Sequence, residues 1–489
     1  MPQGLSSLSP ELVVNILQCL CSPKDLYAII KSSSQFYRVF AAYKQSILSA
    51  ILLHAIPAEA ETEFILAYRA QRIWKFVPES NDDVGRRTKD EIDFENLAQE
   101  CVAVLDQFKS GKSGRLSELL VSSPLVSDRP RLMDIWKFYS SFEHLIISYR
   151  TRALSKLRQP SSESDSSGPL SFTEQTRLQR AFFLWEIYTC VFQISRVTGD
   201  DSRFGPPSTD PAPRFAAMLH PWEVEESFCV AQFYKVLMEE LCDRIEEDFV
   251  VTVKEKMKTR AKAGLETDDP GGGLHMLDYH CLWWYEESYK RCHRSGHIDY
   301  LVSRGMRGVW KLNSAPLPIA RKMVIRTDLE SRPEAPRLLG LSYENPRKEG
   351  GRVVERYQGE NDTDENYVGR CNFGWMWAGG DDSRINSWAN YELRDLGYVF
   401  WDKSRLLEFD RFKSPREPVK SFFDFPPGFQ KYSDRPGVEV KLRDTPIHSK
   451  VIQEIYKDID GRPYHRDDND NIVMDDGNAR SDYTINWRD

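Results

Sequence analysis

The chain has 489 residues and a formal net charge of -8, with 29% charged and 40% hydrophobic residues. That length exceeds what one hydrophobic core usually serves, so several domains are expected. The acidic balance argues against bulk binding to nucleic acid or to an anionic membrane. Nine scattered cysteines, an odd number with no C-x-x-C pair, are too few for a secreted disulfide framework and fit a reducing, intracellular setting, cytoplasmic or nuclear.

The first 55 residues carry closely spaced helix signals. Ser9 is a helix cap, Pro10 suits the first turn, and Glu11 complements the positive end of the helix dipole. Leu12, Val13, Ile16, Leu17 and Leu20 follow as a wide apolar stripe at helical spacing. Ser22-Pro23 repeats the start signal, with Asp25 in the first turn and Leu26, Ile29 and Ile30 behind it. A third helix is expected to carry Phe36, Tyr37 and Phe40, and a fourth Tyr43, Ile47 and Ile51. A core this small gains from burial against something else. No basic region precedes the apolar stretch, which argues against a signal peptide. The most apolar run, ILSAILLHAI at 47–56, is too short to span a bilayer.

The 3.6-residue period returns over 92–108, 132–149, 172–194 and 221–256. The Ser-rich stretch 159–170, with prolines near both ends, reads as a flexible loop, and 264–273 as a second break. One more helix is expected from Met276 to Ser295, ending at Gly296. Beyond about 312 the periodicity fades, prolines, glycines and charges rise, and GYVFW at 397–401 reads as a short strand. The end from 461 reads as an acidic, loose tail. No repeat of solenoid or propeller length occurs.

Several constellations look like chemistry and lack a part. GKSG at 111–114 has Asp106 where a phosphate-binding loop needs glycine. Cys292, His293 and His297 lack the two close ligand pairs of a structural zinc site, so no metal is expected. DDNDN at 467–471 has Ile472 and Asn478 where a calcium loop needs glycine and glutamate. No nucleophile elbow or dinucleotide fingerprint occurs, so neither catalysis nor a cofactor is expected. FGWMWAGG at 373–380, with Arg384 and Trp388 nearby, offers Trp375, Trp377, Arg384 and Trp388 as candidates to line a substrate or ligand pocket; core packing is the plainer reading.

The first fifty residues resemble an F-box, through Leu8, Pro10, Glu11, Leu12, Ile16, Leu17 and Leu20 and the SPKDL start of the second helix. Ser9 stands where the family usually has its proline, which comes one place later. YELRDLGYVFWDKSRLL at 391–407 is loosely similar to large F-box proteins of filamentous fungi. The resemblance implies docking of Leu8, Pro10, Glu11, Leu12, Ile16, Leu17 and Leu20 on a SKP-type adaptor, and through it on a cullin. The remainder of the chain would then present an unknown protein substrate to the ubiquitin ligase. Alternatives are an F-box protein working outside a ligase, and a small-ligand binder or enzyme with its site in 373–401. The expected architecture is mainly α. An F-box-like module spans 1–55, helical regions 56–158 and 172–311 flank a linker at 159–171, and an irregular aromatic-rich region at 312–460 with a few short strands packs on the helices before the tail at 461–489.

Overall fold

The computed structural model describes residues 8–74, 94–111, 114–120, 132–157, 168–197, 215, 218–262, 294–330, 372–378, 391–414, 464–466 and 472–474. The fold is mainly α. The helices are α1 (Pro10–Gln18), α2 (Pro23–Ser32), α3 (Ser34–Ala55), α4 (Glu61–Trp74), α5 (Phe94–Ser110), α6 (Leu116–Leu120), α7 (Leu132–Leu157), α8 (Phe172–Val197), α9 (Pro221–Lys262), α10 (Arg294–Ser303), α11 (Gly305–Ser314), α12 (Leu317–Glu330), α13 (Phe373–Trp377), α14 (Tyr391–Leu396), α15 (Lys403–Leu406) and α16 (Asp410–Lys413). β1 (Tyr464–Arg466) and β2 (Ile472–Met474) pair antiparallel, His465 opposite Val473.

Two compact units are formed, neither of them one stretch of chain. The first comprises Met1–Val236, Leu301–Lys311 and Pro336–Pro426; the second comprises Leu237–Tyr300, Leu312–Ala335 and Pro427–Asp489. In the first unit α8 is the central helix. It packs on α4, α5 and α7 and is buried nearly all round, so its apolar residues follow no single stripe. Phe64, Phe138, Phe142 and Phe183 form a chain of edge-on and tilted rings with centroids 4.8–5.6 Å apart. In the second unit Arg321 of α12 pairs with Asp248 of α9 at 3.1 Å. His297 of α10 is buried there, and burial lowers its pKa to about 4.

Several expectations change. The third and fourth helices of the N-terminal module are one helix, α3, kinked at Tyr43 (φ -115°, ψ 22°). Gly296 lies inside α10 rather than ending a helix. The region after 312 is not irregular throughout, because α12 begins at Leu317.

GYVFW is a turn rather than a strand. Gly397 has φ 65°, a conformation that ends extended pairing, and Phe400 N–H donates to the Gly397 carbonyl at 2.9 Å. In the tail, β1 and β2 pair antiparallel. Residues 159–167 of the expected loop and the segment 276–293 lie outside the described residues. Gly111 (φ 64°) ends α5.

Candidate docking face and the buried charge clusters

The helix start at residue 9 forms as its residues dictate. The Ser9 hydroxyl accepts from Leu12 N–H at 3.4 Å, and Pro10 occupies the first turn. Glu11 is exposed, and its carboxyl titrates below the usual range because backbone N–H donors and the Ser9 hydroxyl favour its charged form. Ser22 caps α2 in the same way, accepting from Lys24 N–H at 3.1 Å.

The wide stripe of α1 then divides. Val13 and Leu17 are 0% exposed and build a small core with Leu26, Phe36, Val39, Ile47, Leu48 and Ile51. Leu8 and Leu20 are partly buried against that core. Leu12 and Ile16, one helical turn apart on the other flank, are 52% and 39% exposed. Leu17 therefore supports α1 from inside, while Leu12 and Ile16, with exposed Pro10 and Glu11, form its outer face. On α2, Tyr27 is also exposed, with the Lys31 ammonium 4.4 Å from its ring centre.

The module is built into the first unit. Leu132, Met133 and Trp136 of α7 pack on its core. Tyr139 Oη and Gln179 Nε2 both donate to the carbonyl of Ala55, the last residue of α3, at 3.4 and 2.9 Å. Glu143 of α7 faces the N-terminus of α2. Burial pushes its pKa up to about 7, against the Ser22 hydroxyl, which favours the charged form.

Trp375 and Trp377 are engaged in packing. Trp375 is buried beside Asn372, whose side chain accepts from Trp375 N–H at 3.0 Å and donates to the carbonyls of Val399 and Trp401. The Trp377 indole donates to the Ser414 carbonyl at 2.8 Å, and its ring lies 4.6 Å from that of Phe412. Arg384 and Trp388 lie outside the described residues.

Composition alone did not reveal the buried charge of the first unit. Arg180 of α8 bridges Glu63 of α4 at 2.9 Å and Glu223 of α9 at 2.8 Å. Glu226 lies beside this group, and burial raises its pKa to about 8, with Arg180 opposing. Glu186 of α8 accepts from Met306 N–H at 2.6 Å and from Gln71 Nε2 at 3.4 Å, and burial raises its pKa to about 7. The Cys190 thiol points at that carboxylate from 3.9 Å; burial, and then the carboxylate, push the thiol well above its ordinary pKa, so it stays protonated. No group of three or more His, Cys, Asp or Glu with the geometry to hold a metal occurs among the described residues.

No family model, curated protein or solved structure matches the chain.

Proposed function

We propose that the chain is the substrate-recognition subunit of an SCF-type cullin–RING ubiquitin ligase, docking on a SKP-type adaptor through α1 and presenting a protein substrate with the rest of its surface. The observation that carries this reading is the exposure of Leu12 and Ile16 on a helix whose Val13 and Leu17 already fill the module's own core. Two large apolar side chains, one turn apart and beside Pro10, offer the kind of anchors that seat a helix in a partner's groove. The F-box-like order of Leu8, Pro10, Glu11 and Leu12 points to the adaptor class. The packing of Trp375 and Trp377 weighs against a ligand site in 373–401.

The test is the double substitution Leu12→Ala with Ile16→Ala, compared with wild type for capture of a purified SKP-type adaptor and for thermal unfolding without it. Buried apolar anchors at an interface each contribute about 2 kcal/mol or more, so loss of both weakens docking by roughly a thousandfold. Lost capture with an unchanged melting temperature supports the reading. Unchanged capture, or no capture by wild type, rejects it. Ubiquitylation of a co-purified protein by the reconstituted complex separates a ligase subunit from an F-box protein working outside one.

A further inference from the structure

The turn that ends α1 presents two free thiols. Cys19 and Cys21 are both exposed, whereas Cys101, Cys190, Cys229 and Cys242, the other cysteines among the described residues, are buried. Cys19 is the helix cap, still in helical conformation (φ -77°, ψ -5°), with its N–H bonded to the Asn15 carbonyl at 3.1 Å. It therefore stands seven residues after Leu12 and three after Ile16, on the same flank of α1 as those two exposed side chains. Cys21 is turned back toward it, its sulfur 3.7 Å from the Cys19 carbonyl oxygen.

Two residues that close in sequence meet the distance requirement for a disulfide readily. Residues two apart are separated by at most about 7 Å even in a fully extended chain. A disulfide needs Cα atoms roughly 4.4–6.8 Å apart, and the helical bend at Cys19 shortens the span. Both side chains are in solvent, so rotation about Cα–Cβ meets little resistance. Leu20 lies between them and packs on the module's core. Closing the ring draws Cys19 off the outer flank of α1 and pulls on Leu20.

We propose that Cys19 and Cys21 are a reversible dithiol–disulfide pair that controls the outer face of α1, the open dithiol leaving the face fit for docking and the closed disulfide impairing it. The control of docking rests on the adaptor reading above; the disulfide itself does not. The oxidant is a low-molecular-weight disulfide. One cysteine thiolate attacks it, forming a mixed disulfide and releasing one small thiol. The second cysteine thiolate then displaces the other, so the Cys19–Cys21 bond forms. The two electrons and the two cysteine protons leave with two small thiol molecules.

The experiment treats the full chain with oxidised glutathione, maps the peptide containing residues 19–21 by mass, and measures binding to a purified SKP-type adaptor before and after. The expected peptide has lost two hydrogens and carries no glutathione, and dithiothreitol restores it. Adaptor affinity falls about tenfold or more on oxidation and recovers on reduction. The variant Cys19→Ser with Cys21→Ser binds the adaptor and ignores the oxidant. A glutathione adduct that never resolves, a cross-linked dimer, or no reaction overturns the pair. A closed disulfide with unchanged affinity overturns the control. A reduced wild type that does not bind the adaptor at all defeats the adaptor reading and, with it, the control, while the peptide map still decides the pair.

Discussion

Arg394 grips Glu225 with two hydrogen bonds, Nε to Oε1 at 2.8 Å and Nη2 to Oε2 at 2.9 Å, across 169 positions of sequence. The carboxylate is completely buried and also accepts from Tyr398 Oη at 3.1 Å. This pair joins α9 to the segment around GYVFW, which Lys156–Asp395, Arg177–Asp402 and Arg405–Glu174 tie down further along. Burying two charges is costly, and their attraction offsets that cost only while both are present.

Arg394→Ala is accordingly expected to destabilise the first unit by about 3–5 kcal/mol, because Glu225 is left buried without its cationic partner. Arg394→Ala combined with Glu225→Leu is expected to recover much of the loss. Urea unfolding of the single and double variants checks this. A single variant as stable as wild type refutes the buried grip.

The two sides of α1 are expected to respond differently. Leu17→Ala removes a side chain with 0% exposure and should cost about 2–5 kcal/mol, with a lower melting temperature. Leu12→Ala, on the exposed flank, should change stability by no more than about 0.5 kcal/mol. Equal losses at both positions contradict the division of the stripe.

Stability is expected to fall as pH rises from about 4.5 to about 8. Glu186 and Glu226 titrate at about 7 and about 8 in the folded chain, above the ordinary 4.5. The native state thus holds protons that the unfolded chain has released, and each such group contributes stability at low pH that is lost through its folded pKa. The slope is about 1.4 kcal/mol for each pH unit in which the native state holds one extra proton. His297, lowered to about 4 from 6.5, acts in the opposite sense and only below about 6.5, where its charging opposes folding. Glu186→Gln keeps an acceptor for Met306 N–H and should flatten the profile between about pH 5 and pH 7. An unchanged profile in that variant counts against Glu186 as a source.

Two glycines are expected to tolerate alanine very unequally. A Cβ on Gly374 would collide with the carbonyl group of Tyr398, a backbone that Asn372 holds in place. A Cβ on Gly111 meets nothing within 4 Å among the described residues, and its positive φ opposes substitution at about 1–2 kcal/mol. Gly374→Ala should therefore lower the melting temperature well beyond Gly111→Ala. The reverse order contradicts the close approach of α13 to the GYVFW turn.

Helix starts were legible because their causes are local. Ser9-Pro10-Glu11 and Ser22-Pro23 satisfy backbone donors within three residues, and the apolar period of α7 is visible in a short window. The kink at Tyr43 was read as a boundary between helices because the pattern on either side is helical, and only continuous packing of α3 shows one element. GYVFW was misread because five residues of high strand propensity carry no mark of their surroundings. Gly397 turns the chain, and Tyr398, Val399, Phe400 and Trp401 are all buried together with the ring of Tyr149 from α7. The same holds for Trp375 and Trp377, whose hydrogen-bond partners come from elsewhere in the fold.

The amino-acid sequence by itself determined that this chain is helical, where α1 and α2 begin, and that α1 has an apolar stripe too wide for a simple surface helix, since caps and periodicity act between residues three or four apart. Only the tertiary structure decided which flank of that stripe is core and which is left in solvent, and that Glu225 lies buried under Arg394. Burial is set by elements brought together from distant parts of the chain, and a helix alone does not specify which of its apolar residues its neighbours will cover.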